Sequence, residues 1–150
     1  MFNRRKFTVS ALAATALVAT PALARTYPRP PAGQYTARIS LKNQRMSLEK
    51  DGKEVYNWPV STARPGKFTP KGIFKPYFLS LNHKSSLYKG APMPYSVFFK
   101  GNFAIHGTNH ISKLGKRASA GCVRLHPDNA AICFGIAKHH GFNALKIIIT

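Results

Sequence analysis

Past residue 34 a single stretch of this chain, residues 127–141, reads as a helix, and the remainder is cut into short runs by Gly, Pro, Asn and Asp. That pattern confines the chain to a mainly β domain with one principal α-helix. Pro127-Asp128 supplies the helix start, with Asp128 as its cap. Residues 130–138 carry the apolar face, His139 and His140 suit the last turn, and Gly141 suits the stop. Residues 35–41 partly alternate and 45–49 alternate clearly. Asp51-Gly52 is a hairpin turn signal, and residues 54–60 answer as the partner strand. Ile73-Phe74 and residues 95–99, 103–105 and 145–149 read as further strands, the last apolar enough for burial on both faces. Residues 80–94 read as a long irregular segment, and a loop of that length in a small domain is usually functional or mobile.

The N-terminus stands apart from this domain. Arg4, Arg5 and Lys6 precede an uncharged, Ala-rich run over residues 7–19, and Ala22-Leu23-Ala24 gives the small-x-small pattern of a cleavage site. Residues 1–24 therefore read as a secretory signal peptide, too short and too weakly apolar for a stable membrane span. Asn3-Arg4-Arg5-Lys6-Phe7 also resembles a twin-arginine signal, which leaves either export route open. Residues 25–34, with Pro28, Pro30 and Pro31, read as an extended linker into the domain at 35–150. The expected address is outside the inner membrane, in the periplasm or cell wall, with no transmembrane span in the mature chain.

That address decides how the charge is read. The sequence has 23 Lys and Arg against four acidic residues, a formal net charge of +19. Such a surface is drawn to polyanions. Nucleic acid is the first partner to consider for it, and an export signal excludes that. Envelope polymers remain, as does simple solubility. The even count of cysteines, Cys122 and Cys133, admits a disulfide in an exported protein. Cys133, however, has Ala130, Phe134 and Ala137 at helical spacing and reads as a core thiol, so no disulfide is expected.

The chemistry concentrates in Ile105-His106-Gly107-Thr108 and, sixteen residues after the His, Cys122 within Ser119-Ala120-Gly121-Cys122-Val123-Arg124-Leu125. A thiol nucleophile needs a base, small residues around it and nearby positive charge. His106 is the candidate base. The Arg124 cation, a helix N-terminus and a protonated His106 are each expected to lower the pKa of Cys122. A catalytic His needs a partner for its second ring nitrogen. With acids so scarce, that partner is a backbone carbonyl near Gly107 or the Ser119 hydroxyl. Ala120, Gly121 and Cys122 would present backbone N–H groups as an oxyanion hole. One Cys and one His do not define a site by themselves, and a strand-end His is often structural. Four other histidines, His110, His126, His139 and His140, match no familiar metal spacing, so neither metal nor cofactor is expected.

At these residues the chain resembles the YkuD-type L,D-transpeptidases. The resemblance rests on His106-Gly107-Thr108, Leu114-Gly115 and Ser119-x-Gly121-Cys122-Val123-Arg124-Leu125. It extends through Met46-Ser47-Leu48, Pro59-Val60-Ser61-Thr62, Thr69-Pro70-Lys71-Gly72-Ile73-Phe74, Tyr88 and Met93-Pro94-Tyr95, and so spans 35–150. It implies a β-sandwich built on a mixed sheet, with the Cys-His site under a mobile lid. The implied reaction is metal-free acyl transfer on peptidoglycan stem peptides. Cys122 would attack the third stem residue, release the terminal D-alanine and hold a thioacyl group, with His106 moving the protons. A stem-peptide amine would complete a 3→3 cross-link; related members use a protein amine or water. Inhibition by carbapenems is also implied. One position departs from the pattern: the second His of the family signature is Ala120 here. That leaves a carboxypeptidase, or a wall-binding domain with a degraded site, as alternatives. Arg124 would hold a substrate carboxylate or brace the nucleophile turn, and Tyr88 and Met93 would line the lid or pack in the core. A monomer is expected.

Overall fold

The computed structural model describes residues 26–150, so the expected signal peptide lies outside the described residues. Nine strands and one long helix follow in order: β1 (Tyr35–Ser40), β2 (Arg45–Lys50), β3 (Lys53–Pro59), β4 (Gly72–Phe74), β5 (Phe78–Lys84), β6 (Pro92–Lys100), β7 (Phe103–Gly107), β8 (Val123–Leu125), α1 (Pro127–His140) and β9 (Leu145–Ile149). They form two mixed sheets. One has the order β3-β2-β1-β9-β4, with β1 and β9 parallel. The other has the order β5-β6-β7-β8, with β7 and β8 parallel.

Alternation explains which side chains enter the space between the sheets. Tyr35, Ala37 and Ile39 of β1, Met46 and Leu48 of β2, and Leu145, Ile147 and Ile149 of β9 are buried in one cluster. Val97 and Phe99 of β6, Ile105 of β7, and Val123 and Leu125 of β8 join them from the second sheet. Each fully buried Ile or Leu contributes about 1.5–3 kcal/mol. The closing strand is more exposed than its composition suggests, because Lys146 points to solvent and Ile148 is only half-buried.

Helix α1 buries Ala130, Ala131, Cys133, Phe134, Gly135, Ile136 and Ala137, nearly its whole circumference. Its cap differs from the expected one. The His126 side chain accepts from Asp128 N–H at 3.2 Å, and Asp128 itself is exposed in the first turn. Residues 80–94 also differ from the expected irregular segment. They belong to an antiparallel hairpin of β5 and β6, and Ser85 closes the turn by accepting from the N–H groups of Leu87 and Tyr88. The Pro-rich segment before β1 is extended but tied down. Tyr27 packs edge-on against Phe134 at 4.9 Å, Pro30 C=O meets His140 Nε2 at 2.7 Å, and Pro31 C=O accepts from the Tyr35 hydroxyl at 2.7 Å.

Candidate active site

Parallel pairing of β7 with β8 sets Ile105 opposite Val123 and His106 opposite Arg124. Ile105, Val123 and Leu125 face the core. Alternation therefore sends Ala104, His106, Cys122 and Arg124 to the other side of the sheet. There Met93, Phe98 and Ala104 form a second, smaller apolar cluster against which Cys122 packs. His106, Cys122 and Arg124 line a cleft of about 400 Å³. Tyr88 and Met93 line it too, Met93 buried at its floor and Tyr88 half-exposed on the β5–β6 turn.

His106 is buried, and its Nδ1 lies 2.7 Å from the Gly107 carbonyl. A carbonyl only accepts, so Nδ1 carries the proton and Nε2 keeps the lone pair. The Ser119 hydroxyl is engaged elsewhere. It donates to Cys122 C=O at 2.7 Å and accepts from Gly121 N–H at 3.0 Å. Ser119 thus shapes the turn that carries Cys122 rather than orienting the imidazole. Gly121 N–H, taken by Ser119, is not free as an oxyanion donor. Thr69 secures the turn from the other side by donating to Gly121 C=O at 2.8 Å and accepting from Ala63 N–H at 3.1 Å. Gly121 has φ +140°, and a Cβ there would lie 2.7 Å from the Phe103 ring and 2.9 Å from Phe68 C=O. Glycine is required at that position by both conformation and space.

His106 and Cys122 are both neutral at pH 7, in contrast to the expected lowering of the Cys122 pKa. Burial pushes the His106 pKa down to about 4. Its bond to Gly107 opposes the shift, and the Arg124 and His83 charges add to it. Burial raises the Cys122 pKa, against smaller opposing effects of the Ala104 N–H and Arg124. The Cys122 thiol lies 3.6 Å from Asn102 C=O, a contact that suits S–H. The expected lowering by Arg124 is present but outweighed by desolvation. His106, with its pKa down at about 4, lends the thiol no positive charge at neutral pH.

Arg124 is half-buried. Its backbone bridges Ser61, and its guanidinium reaches Ala118 C=O at 3.5 Å. It braces the turn and still borders the cleft. Sequence reasoning missed Arg64, His83 and Asn102, which also line it. Arg64 arrives through Arg64 N–H to Ser119 C=O at 2.9 Å, a contact between residues 55 apart that no local pattern announces. His83 sits 5.0 Å from the Phe98 ring. The remaining histidines have separate tasks: His110 borders the cleft, His126 caps α1, His139 packs on Tyr27, and His140 holds Pro30. Cys133 is buried and free, with its pKa pushed up to about 12 by burial.

Residues 34–140 match the model of the L,D-transpeptidase catalytic domain family YkuD. A Bacillus licheniformis protein provisionally described as the L,D-transpeptidase YkuD is 29% identical over 94 residues, 61% of this chain and 53% of that protein. A structure of the LD transpeptidase LdtMt1 in complex with imipenem aligns with TM-score 0.69 at 20% identity, covering 79% of this chain and 59% of that one. L,D-transpeptidase 3 from Mycobacterium tuberculosis, in complex with a faropenem-derived adduct, aligns with TM-score 0.67 at 17% identity over 79% of this chain and 60% of its own. The fold is shared with these structures. The chain spans about half the length of the curated relatives it matches.

Proposed function

This chain belongs to the YkuD family of L,D-transpeptidase catalytic domains, and we propose that it is a cysteine-dependent acyltransferase acting on peptidoglycan stem peptides. The observation that carries the reading is the Nδ1 bond of His106 to Gly107 C=O at 2.7 Å, which leaves Nε2 basic in the cleft that Cys122 also lines.

With both groups neutral at rest, proton transfer accompanies attack. The Cys122 Sγ adds to the carbonyl carbon of the third stem residue while the S–H proton passes to His106 Nε2. The oxyanion is held by the N–H groups of Ala120 and Cys122, Gly121 N–H being occupied by Ser119. Collapse breaks the bond to D-alanine, whose amine takes the proton from His106, and a thioester remains. An acceptor amine then attacks, gives its proton to His106, and releases Cys122 as the thiol. Arg124 and Arg64 supply positive charge at the cleft for a substrate carboxylate, with Tyr88 and Met93 against the apolar part of the stem. A stem-peptide amine yields a 3→3 cross-link; an envelope-protein amine yields protein attachment. The reading includes export by the 1–24 leader to the periplasm or wall, and action as a monomer. Among the described residues no helix is long and apolar enough to cross a membrane.

The deciding experiment is intact-protein mass spectrometry after exposure to a carbapenem, with Cys122→Ala alongside. One drug adduct, absent from the variant, is the expected result. No adduct on folded protein with a free thiol would overturn the acyltransferase reading. Masses of cross-linked dimers against free tripeptides then identify the acceptor.

A further inference from the structure

The acidic residues of this protein are few and lie in two places, and we propose that a cationic face of it is a binding site for a linear polyanion, bordering the catalytic cleft and sharing Arg64 with it. Three of the four acidic residues, Glu49, Asp51 and Glu54, lie at the Asp-Gly end of the β2–β3 hairpin. Arg38 and Lys50 pair with the first two, and Ser47 and Asn57 bond the third. The fourth, Asp128, lies beside His126 at 3.6 Å.

The opposite end of that sheet is built differently. The β1–β2 turn carries Lys42, and two loops pack next to it. Residues 60–64 and 115–119 run side by side through Gly115 N–H to Val60 C=O at 2.8 Å, Ser119 N–H to Thr62 C=O at 2.9 Å and Arg64 N–H to Ser119 C=O at 2.9 Å. Lys67 N–H returns to Arg64 C=O at 3.0 Å, and Lys116 N–H to Lys113 C=O at 3.1 Å. The Arg117 guanidinium reaches Leu41 C=O at 3.3 Å, which joins these loops to the turn. The backbone thereby gathers Lys42, Arg64, Lys67, Lys113, Lys116 and Arg117. All six are exposed, and none pairs with a carboxylate among the described residues.

Like charges held together by backbone contacts repel until an anion neutralises them. These cations come from three segments and all six are exposed, so they do not form a buried cradle for one small ion. A chain of anions meets them in succession and releases a counterion at each contact. The face carries no amphipathic helix to enter a bilayer, which favours a polymer over a lipid surface. Arg64 belongs both to this face and to the cleft, so a bound polymer lies along the rim of the active site.

The test measures binding of the purified protein to long-chain polyphosphate and to polyglutamate across a salt series. Lys113→Glu/Lys116→Glu/Arg117→Glu is compared with Lys53→Glu/Lys138→Glu/Lys146→Glu, which removes the same charge elsewhere, and Gln replacements are the second set. Thermal unfolding confirms that each variant folds. The expected result is a loss of about tenfold or more in affinity for the first variant, a salt slope shallower by about 2–3, and a much smaller loss for the control. The stronger of the two polymers identifies the anion as phosphate or carboxylate. Equal losses in both variants would reduce the effect to net charge and overturn the site. So would an absence of salt-dependent binding, or binding to anionic vesicles but to neither polymer.

Discussion

The carbonyl of Pro28 occupies the position where Gly135 would need a side chain: a Cβ there would lie 2.1 Å from Pro28 O. The arm before β1 and the middle of α1 are thus fitted to each other across more than one hundred residues of sequence. In an isolated helix, Gly135→Ala would gain about 1 kcal/mol from propensity. Here it is expected to destabilise the protein by about 1–3 kcal/mol in urea unfolding, because the added methyl displaces the arm. Tyr27→Ala loses the packing on Phe134 by a second route, and the double variant should lose less than the sum.

Stability should depend on pH through His106. Its folded pKa, about 4, lies below the unfolded value of about 6.5. The unfolded chain therefore binds more protons between those values. This contribution to stability is full above pH 6.5, declines as pH falls through the window and is lost below pH 4. The loss amounts to about 3 kcal/mol. Denaturant melts at pH 7 and pH 4 should show it, and His106→Gln should flatten the slope.

Catalysis should persist well into acid for the same reason. The basic form of His106 is populated down to about pH 4, so acylation by a carbapenem should stay near its plateau at pH 5.5 rather than halve near 6.5. A stopped-flow pH profile checks this. An acid limb centred near 6.5 would show that the imidazole is far less buried in solution.

Ser119→Ala removes the hydroxyl that holds both Cys122 C=O and Gly121 N–H. The expected effect is a fall of about 10- to 100-fold in kcat with KM nearly unchanged, because the turn loses its set geometry while the cleft walls remain. Single-turnover acylation rates measure it directly.

Native protein should show one thiol that reacts slowly with an aromatic disulfide reagent, and denatured protein should show two rapid ones. Cys122 is only partly buried and has a raised pKa, whereas Cys133 is fully buried with a pKa of about 12. Two fast thiols in native buffer would contradict the packing of α1.

Much of this architecture is legible in the residues. Alternation in β1 and β2, the Asp51-Gly52 turn and the punctuation of α1 by Pro127 and Gly141 all carry local physics. The hairpin of β5 and β6 is not legible, since β5 is half-exposed along most of its length and its polar residues show no clean period of two. The three residues of β8 are too few to announce a strand, and their partner lies in β7. At the site, residue type and spacing offer His106 and Cys122 as candidates and leave the imidazole's partner open between a backbone carbonyl near Gly107 and the Ser119 hydroxyl; the fold selects the Gly107 carbonyl. The protonation states are not legible in the sequence. Burial sets them, and burial belongs to the assembled sheets, so a sequence rich in cations suggested a thiolate that the folded cleft disfavours. Arg64 and the His126 cap went unread for a related reason: each acts through a backbone atom whose position the sequence leaves open.

Strand β9 lies between β1 and β4, inside its sheet rather than at an edge. Strand β1 therefore waits, with one side of its backbone unpaired, until residues 145–149 have been synthesised. Domain folding is consequently an event that follows translation of nearly the whole described chain. Until then the nascent polypeptide stays open to whatever chaperone or translocation machinery binds extended segments.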